Sequence, residues 1–363
     1  GLPRVRRGVI PVSSVRQSVD RTLLPWALPR QVSVVWDGAD DPNLKVFADP
    51  HALRRLIVNL VVNAIRVTRD GDCVLIELRR VRGGEAVKWT IVDQGAGISE
   101  SDMVQIASRE QSLSGGEGLG LMISRQLAAM HFSQLSIRSR LGTGTEVSFE
   151  TPAGSPRNVA SCWVNWRRRF GNATTREKDG QLTVIEQGSS RIRPPRRTRL
   201  QPPSVMIEIA AEGNAPRCED EVSIGTVTLG AALPLHIADQ FDSLFQNQLQ
   251  TFELAYRVDA RRWVWILDAD QDCVADRIET MMLAVSKAIA SLRVTWSDPK
   301  TLAVRQPRAV ALISDLMIRK SLSAFDATRI QDNNEVRLGT LPIEPSAAAT
   351  WRLKQQVRWL SDR

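Results

Sequence analysis

The feature that most constrains the fold of this chain is an amphipathic helix, predicted from Asp49 to about Thr68. Asp49 suits the N-cap of such a helix, and Pro50 suits its first helical position. Asn59 and Asn63 are four residues apart and share one face of this helix. Two amides in that arrangement can hold a hydrated Mg²⁺ and orient phosphate oxygens, because Mg²⁺ takes few protein oxygens and keeps its waters. The helical assignment rests on apolar residues that recur with helical spacing, namely Leu53, Leu56, Ile57, Leu60, Val61, Ala64 and Ile65.

Arg66 adds a cation to the same helix. It lies three residues beyond Asn63, close enough in angle to reach the same phosphates. Surface amides are common, however, so a pair of asparagines on a helix is weak evidence by itself. The helix predicts a phosphate site only together with other motifs.

A second motif, Asp93-Gln94-Gly95-Ala96-Gly97, directly follows a predicted strand over residues 86–92. A carboxylate at a strand end can accept a hydrogen bond from the amino group of adenine. Gly95 and Gly97 would let the backbone approach the base closely. Taken alone, the motif favours an ordinary Asp-Gly turn.

A third motif, Gly116 to Leu121, opens a predicted helix that ends near Met130. A glycine-rich turn at a helix N-terminus presents free backbone N–H groups to phosphate. This motif is also weak alone. The three motifs stand in one order, however, at a helix, a strand end and a helix start, and together they predict a nucleotide site.

From about Asp49 to Pro152 the chain resembles the catalytic ATPase domain of sensor histidine kinases, within the superfamily of gyrase, Hsp90, histidine kinases and MutL. DPHALRRLIVNLVVNAIRVT resembles the family's N box, IVDQGAGI its first glycine box, GGEGLGLMISRQLAAMH its second glycine box, and GTGTEVSFETP its closing strands. The resemblance implies an α+β fold, a two-layer α/β sandwich known as the Bergerat ATP-binding fold. It also implies ATP and Mg²⁺ as cofactors, with residues 99–114 as a mobile lid.

The resemblance gives a role to each matching residue. Asn63 would be the Mg²⁺ ligand, while Asn59 and Arg66 would be the catalytic residues that position or activate phosphate. Asp93 would bind the adenine amino group. The other cofactor-binding positions would be Gly95, Gly97, Gly116, Gly118, Leu119 and Gly120.

The resemblance also implies partners. The family transfers the γ-phosphate of ATP to a histidine on a dimerising two-helix hairpin, and the phosphorelay continues to a response regulator. His51, His131 and His236 do not lie in the family's phosphoacceptor motif, and we expect His51 to face solvent and His131 to be structural. We therefore expect the phosphoacceptor on a histidine-bearing dimerisation domain, in a longer chain or in trans. A homodimer is compatible with this reading.

Some residues depart from the family pattern and favour an alternative. Glu117 stands where a small or neutral residue is usual, and a carboxylate near a triphosphate repels it unless it points away. Val67 replaces a usual aromatic residue, and the lid is short. The alternative is a degenerate, non-catalytic ATPase-fold module for nucleotide-responsive or structural protein interaction. An ATP-hydrolysing machine of the superfamily would need a glutamate base on the first helix, where Asn59 stands.

The 363 residues divide into three predicted parts. Residues 1–152 form the histidine-kinase-like ATP-binding domain, and residues 153–203 form a basic, Pro-rich linker with a small hairpin at 181–186. Residues 204–363 form a second α+β domain of unrecognised family, with a buried strand at residues 263–267 (WVWIL). After this strand Asp270 or Asp272 could cap a helix, or an aspartate could be a receiver-type phosphoacceptor. The tryptophan pairs at 163/166 and 263/265 are expected in a core or an interface.

Charge and cysteine usage narrow the class of protein. The net charge of +8 comes partly from arginine clusters at 167–169 and 191–199, which favour a solvated linker over a nucleic-acid site because no aromatic residues interleave them. The four cysteines have no CxxC spacing, so neither a compact zinc site nor a disulfide framework is predicted. With no long apolar run and no signal peptide, we expect a cytoplasmic protein, or the cytoplasmic part of a membrane-associated one.

Overall fold

The computed structural model describes residues 6–99, 101–103, 119–171, 205–209, 221–230, 234–250, 252–287, 289, 294–304, 306 and 308–318. The predicted hairpin at 181–186, the arginine cluster at 191–199, and Gly116, Glu117 and Gly118 lie outside these residues. Within them, no helix is long and apolar enough to cross a membrane.

The first half of the chain alternates strands and helices. Its elements are β1 (Gly8–Pro11), α1 (Val12–Ala27), β2 (Ser33–Asp37), β3 (Lys45–Ala48), α2 (Pro50–Val67), β4 (Cys73–Val81), β5 (Ala86–Asp93), α3 (Leu119–Ala129), β6 (Leu135–Arg140), β7 (Gly144–Pro152), α4 (Pro156–Gly171) and β8 (Val205–Ile209). The first sheet has six strands in the order β2-β4-β5-β7-β6-β8, with β2 parallel to β4 and every other pair antiparallel. Buried apolar side chains of α1, α2 and α3 pack on one face of this sheet. The predicted two-layer α/β sandwich is confirmed.

Helix α2 forms as its sequence predicts. The Asp49 carboxylate accepts hydrogen bonds from the backbone N–H groups of His51 (2.9 Å) and Ala52 (2.8 Å), and Pro50 occupies the first turn. The predicted apolar stripe is buried from Leu53 to Ile65. The N-cap therefore fixes where α2 begins, and its apolar face fixes its rotation against the sheet.

Helix α4 lies inside the segment where we expected a linker. Pro156 opens this helix, and its buried face carries apolar side chains that pack away from solvent: Val159, Ala160, Trp163, Val164 and Trp166. Proline at a first turn starts a helix rather than breaking one. The predicted linker was therefore wrong for residues 156–171. The placement of Trp163 and Trp166 in a core is confirmed.

The same helix corrects the prediction for the first arginine cluster. Arg167 is only 1% exposed, and its guanidinium forms an ion pair with Asp268. Arg168 donates to the backbone carbonyls of Val304 (3.1 Å) and Gln306 (2.8 Å). The side chains of Arg167 and Arg168 thus form ion-pair and hydrogen-bond contacts with other parts of the protein. The prediction of a solvated linker was therefore wrong for these two arginines.

The second half of the chain forms its own antiparallel sheet. Its elements are β9 (Glu221–Leu229), α5 (Leu235–Gln246), β10 (Leu254–Arg257), β11 (Arg262–Leu267), α6 (Val274–Ser286), β12 (Val294–Trp296) and β13 (Lys300–Ala303). The strand order is β10-β11-β9-β12, and β13 also pairs with β9. This β-α-β-β-α-β order with the first strand at the centre is the split β-α-β arrangement of ferredoxin-like folds. The predicted buried strand WVWIL is β11.

Both faces of this second sheet are covered. Phe241, Phe245 and Met281 of α5 and α6 pack on one face, and α4 with helical residues 309–318 packs on the other. Receiver sheets are parallel, whereas this sheet is antiparallel, so a receiver-type phosphoacceptor after β11 is excluded. Asp270 instead accepts hydrogen bonds from the backbone N–H groups of Asp272 and Cys273, directly before α6.

Strand β8 joins the first sheet, whereas we expected it to begin the second unit. It pairs antiparallel with β6, placing Leu135 opposite Ile209. Pairing with β8 supplies partners for backbone groups along the edge of β6. No local sequence pattern indicates which strand pairs with β8.

Candidate nucleotide-binding site

Asp93 ends β5 and is 6% exposed. Its Oδ1 atom accepts hydrogen bonds from the backbone N–H groups of Gly95 (2.9 Å) and Thr145 (3.3 Å). Burial raises the pKa of this carboxyl to about 6, and the two backbone hydrogen bonds lower it. No hydrogen bond is recorded for Oδ2 within the described part of the chain, so this oxygen can accept one from a ligand.

The turn after Asp93 is held tightly on both sides. A Cβ atom on Gly95 would lie 2.7 Å from the Val67 carbonyl oxygen at the end of α2. A Cβ atom on Gly97, which has φ +67°, would lie 2.0 Å from the Arg140 carbonyl oxygen at the end of β6. Both glycines are therefore required by close backbone approach. A side chain at either position would prevent the turn from packing against α2 and the β6–β7 hairpin.

Replacing Gly97 with Ala is expected to destabilise the protein by roughly 1–3 kcal/mol more than replacing Gly83 with Ala. The two glycines have nearly the same φ, +67° and +65°, but a Cβ atom on Gly83 would meet nothing within 4 Å. The difference therefore isolates the contact with Arg140. Urea unfolding of both variants measures it, and equal destabilisation would contradict the close approach.

Helices α2 and α3 bring the first and third motifs together. A Cβ atom on Gly120 would lie 3.7 Å from Nδ2 of Asn63, and the Ser124 hydroxyl holds the Gly120 carbonyl at 2.8 Å. Asn63 is exposed and Asn59 is half-buried. The backbone at the start of α3 thus faces the amide predicted to bind Mg²⁺. Leu119 begins α3.

Arg66 follows in the last turn of α2 and is exposed. Its guanidinium carbon lies 5.6 Å from the ring centroid of Trp26 in α1. Val67, next in sequence, is 51% exposed. The structure therefore places Asn63 on the α3 side of α2 and Arg66 on the α1 side.

Sequence reasoning missed two parts of the site. Thr145 holds Asp93 through its backbone N–H because β5 and β7 pair these residues directly. Met103 and Ile137 form a small buried cluster, against which Ile98, Leu121 and Val147 pack. This cluster joins the second motif to the third. Strand register would have identified Thr145, but no sequence pattern gives register between strands so far apart in the chain.

His131 is structural, as predicted. Its Nδ1 donates to the Leu127 carbonyl at 2.7 Å, and its Nε2 accepts from the Asp49 backbone N–H at 3.3 Å. Burial lowers the pKa of His131 to about 4. The imidazole thus joins the end of α3 to the N-cap of α2, which keeps the two site helices together. His51 is exposed, as predicted.

The described elements of this region form a two-layer α/β sandwich, and comparison with known proteins gives its family. Residues 48–155 match the family "Histidine kinase-, DNA gyrase B-, and HSP90-like ATPase". These residues therefore form an ATPase domain of the histidine-kinase type.

The chain is also similar, over part of its length, to several named proteins. The virulence sensor protein BvgS of Bordetella bronchiseptica is 38% identical over 122 residues, covering 31% of this chain and 10% of that protein. Histidine protein kinase DivJ of Caulobacter vibrioides is 35% identical over 115 residues, covering 30% of this chain and 19% of that protein. The adaptive-response sensory kinase SasA of Synechococcus sp. is 32% identical over 155 residues, covering 41% of this chain and 40% of that protein. The chain thus spans well under two thirds of each relative.

A solved catalytic domain of histidine kinase ThkA shares 22% identity with a TM-score of 0.35, and the match covers 40% of this chain and 96% of that domain.

Proposed function

We propose that this chain is the ATP-binding catalytic portion of a two-component sensor histidine kinase, which transfers the γ-phosphate of ATP to a histidine outside this chain. The proposal rests on the hydrogen bonding of the Asp93 side chain. Its buried carboxylate is fixed through Oδ1 by two backbone N–H groups, and Oδ2 remains as an acceptor. A single fixed acceptor at the end of a central strand suits the exocyclic amino group of adenine.

The remaining residues fit Mg·ATP by their chemistry. Asn63 supplies an amide oxygen, a hard ligand of the kind that Mg²⁺ takes alongside phosphate oxygens and water. Gly120, at the start of α3, lies close to Asn63, since a Cβ atom there would be 3.7 Å from Nδ2 of Asn63, and a helix N-terminus favours phosphate. When bound, Mg²⁺ would neutralise part of the phosphate charge.

The proposed roles in transfer follow from position. Asn59, one turn before Asn63, would orient the phosphates, and Arg66 would neutralise charge on their α1 side. Phosphoryl transfer depends on positioning and charge stabilisation more than on covalent chemistry by the protein. Residues 1–152 would be the ATP-binding domain and residues 204–363 a second domain. The partners would be a histidine-bearing dimerisation domain and a response regulator. The kinase would act as a homodimer in the cytoplasm.

Replacing Asn63 with Ala is expected to weaken Mg·ATP binding by at least about ten-fold, the scale on which metal sites lose affinity when a supporting group is removed. Because Asn63 is exposed, the stability of the fold should not change. Calorimetry measures the dissociation constant, and Asn43→Ala is the matched control, an exposed asparagine outside the three motifs. Equal affinities of the two variants for Mg·ATP would contradict a role of Asn63 in nucleotide binding.

Transfer itself is tested with ATP labelled with ³²P at the γ position and a two-helix phosphoacceptor hairpin of the histidine kinase family supplied in trans. The expected product is acid-labile, base-stable phosphate on the hairpin, absent when the hairpin histidine is replaced by Gln. Nucleotide binding with no transfer to any supplied hairpin would instead favour the non-catalytic module.

A further inference from the structure

Arg66 has an unusual set of contacts for an arginine at a helix end. Such a side chain often caps the last carbonyl groups of its own helix. Here Arg30 does so, donating to the carbonyls of Ile65 (2.6 Å), Arg66 (2.8 Å) and Thr68 (2.9 Å). Arg30 is also the partner of Asp70, at 2.8 Å. The helix end and the nearby carboxylate are therefore satisfied without the Arg66 side chain.

The Arg66 guanidinium contacts the ring of Trp26, with its central carbon 5.6 Å from the ring centroid. Among the residues that the structure describes, no carboxylate lies within ion-pair distance of it. Trp26 is in the last turn of α1 and is 46% exposed, so its ring is not simply part of the core. The ring attracts the cation through its π face and does not neutralise the charge.

This arrangement matters for binding an anion. A carboxylate partner would compete with phosphate, whereas an aromatic face leaves the N–H donors of the guanidinium available. Contact with the ring also restricts a side chain with much rotamer freedom, so less entropy is lost when phosphate binds. The cation is held against the Trp26 ring, at a position three residues along α2 from Asn63.

We propose that Trp26 is a positioning residue of the nucleotide site, which presents the charged guanidinium of Arg66 to the phosphates of the bound nucleotide. The inference rests on the proposed function. It adds α1, which lies outside the three sequence motifs, to the parts of the chain that determine affinity for the triphosphate.

The test is a double-mutant cycle on the whole chain, with the dissociation constant of Mg·ATP measured by calorimetry. Trp26→Leu is expected to weaken binding roughly three-fold, the scale of an exposed cation–π contact, and Trp26→Phe by less. Arg66→Ala is expected to weaken it by about ten-fold. The double variant Trp26→Leu/Arg66→Ala should bind no more weakly than Arg66→Ala, because Trp26 acts through Arg66.

Trp36→Leu is the matched control. Its ring lies 5.9 Å from the guanidinium of Arg16, but Arg16 is paired with Asp40 at 2.7 Å and the pair lies outside the motifs. This variant should bind as the wild type does. A spectroscopic readout comes from 5-fluorotryptophan labelling, in which the ¹⁹F resonance that Trp26→Phe removes should shift with Mg·ATP and much less with adenosine.

The outcomes separate the two claims. Failure of the wild type to bind Mg·ATP would overturn the proposed function and this inference with it. Wild-type binding with an unchanged dissociation constant for Trp26→Leu would overturn the positioning role alone. Additive losses in the double variant would also overturn it, since they would show that Trp26 acts independently of Arg66.

Discussion

Replacing Asp93 with Asn is expected to weaken Mg·ATP binding by more than about 100-fold, and to leave the fold equally or more stable. In the wild type, Oδ1 is taken by the backbone N–H groups of Gly95 and Thr145, and Oδ2 is left for the ligand. An asparagine that keeps these bonds through its carbonyl oxygen turns an NH₂ donor toward the adenine amino group, which is also a donor. An unmatched buried polar pair costs roughly 2–4 kcal/mol.

The stability of this variant follows from the sign of the pKa shift. Burial raises the pKa of Asp93 from 3.8 to about 6, so the fold favours the protonated acid. The ionised form opposes folding increasingly as the pH rises from about 4 to 6, and that cost is complete at pH 7. The neutral amide removes it, and urea unfolding at pH 7 should show a gain on the order of 1–3 kcal/mol. A less stable variant would mean that the binding loss reflects unfolding.

The same pKa predicts how wild-type binding depends on pH. If the Asp93 carboxylate is the acceptor, as proposed, affinity for Mg·ADP should be constant above pH 7 and fall below about pH 6, after correction for the titration of the nucleotide phosphate. Asp93→Asn should lack this fall. A wild-type affinity that is unchanged down to pH 5 would contradict the role of the Asp93 carboxylate.

The second large effect is expected from Arg167→Met, which should lower the free energy of unfolding by roughly 3–5 kcal/mol. Arg167 and Asp268 form an ion pair with side chains that are 2% and 8% exposed. The guanidinium also donates to the Phe252 carbonyl and lies 5.7 Å from the ring of Trp163. Removing the arginine abolishes this ion pair while the Asp268 carboxylate stays buried.

Two variants act as controls for Arg167→Met in urea unfolding. Arg168→Met, at the next and less buried position, should cost about 1 kcal/mol, the value of the backbone hydrogen bonds it loses. Arg167→Met/Asp268→Leu should regain most of the lost stability, because no unpaired charge remains. A double variant as unstable as Arg167→Met would show that packing, and not charge, accounts for the loss.

The sequence predicted those elements of the fold whose formation depends on residues close together in the chain. The cap and apolar stripe of α2 depend on residues within one helix, and the Asp93 motif depends on a strand followed by glycines. Both could be identified without knowing what they contact. The roles of Asn59, Asn63, Arg66 and Asp93 in nucleotide chemistry stay predictions.

The parts that could not be predicted depend on contacts between distant segments. Arg167 lies in a segment whose composition is typical of a linker. Only the position of Asp268, 101 residues away along the chain, makes it a buried ion-pair partner. Strand β8 has no feature that distinguishes pairing with β6 from pairing within the second sheet. Trp26 lies in α1, and its contact with Arg66 depends on how α1 packs on α2.

We propose that the end of β5 recognises the amino group of adenine, and a change in the ligand tests this proposal most directly. Inosine triphosphate carries an oxygen where ATP carries that amino group. Calorimetry on the wild-type chain should show Mg·ATP binding at least about 30-fold more tightly than Mg·ITP, as expected when a buried acceptor is left unmatched. Equal affinities for the two nucleotides, or no binding of Mg·ATP, would contradict the account.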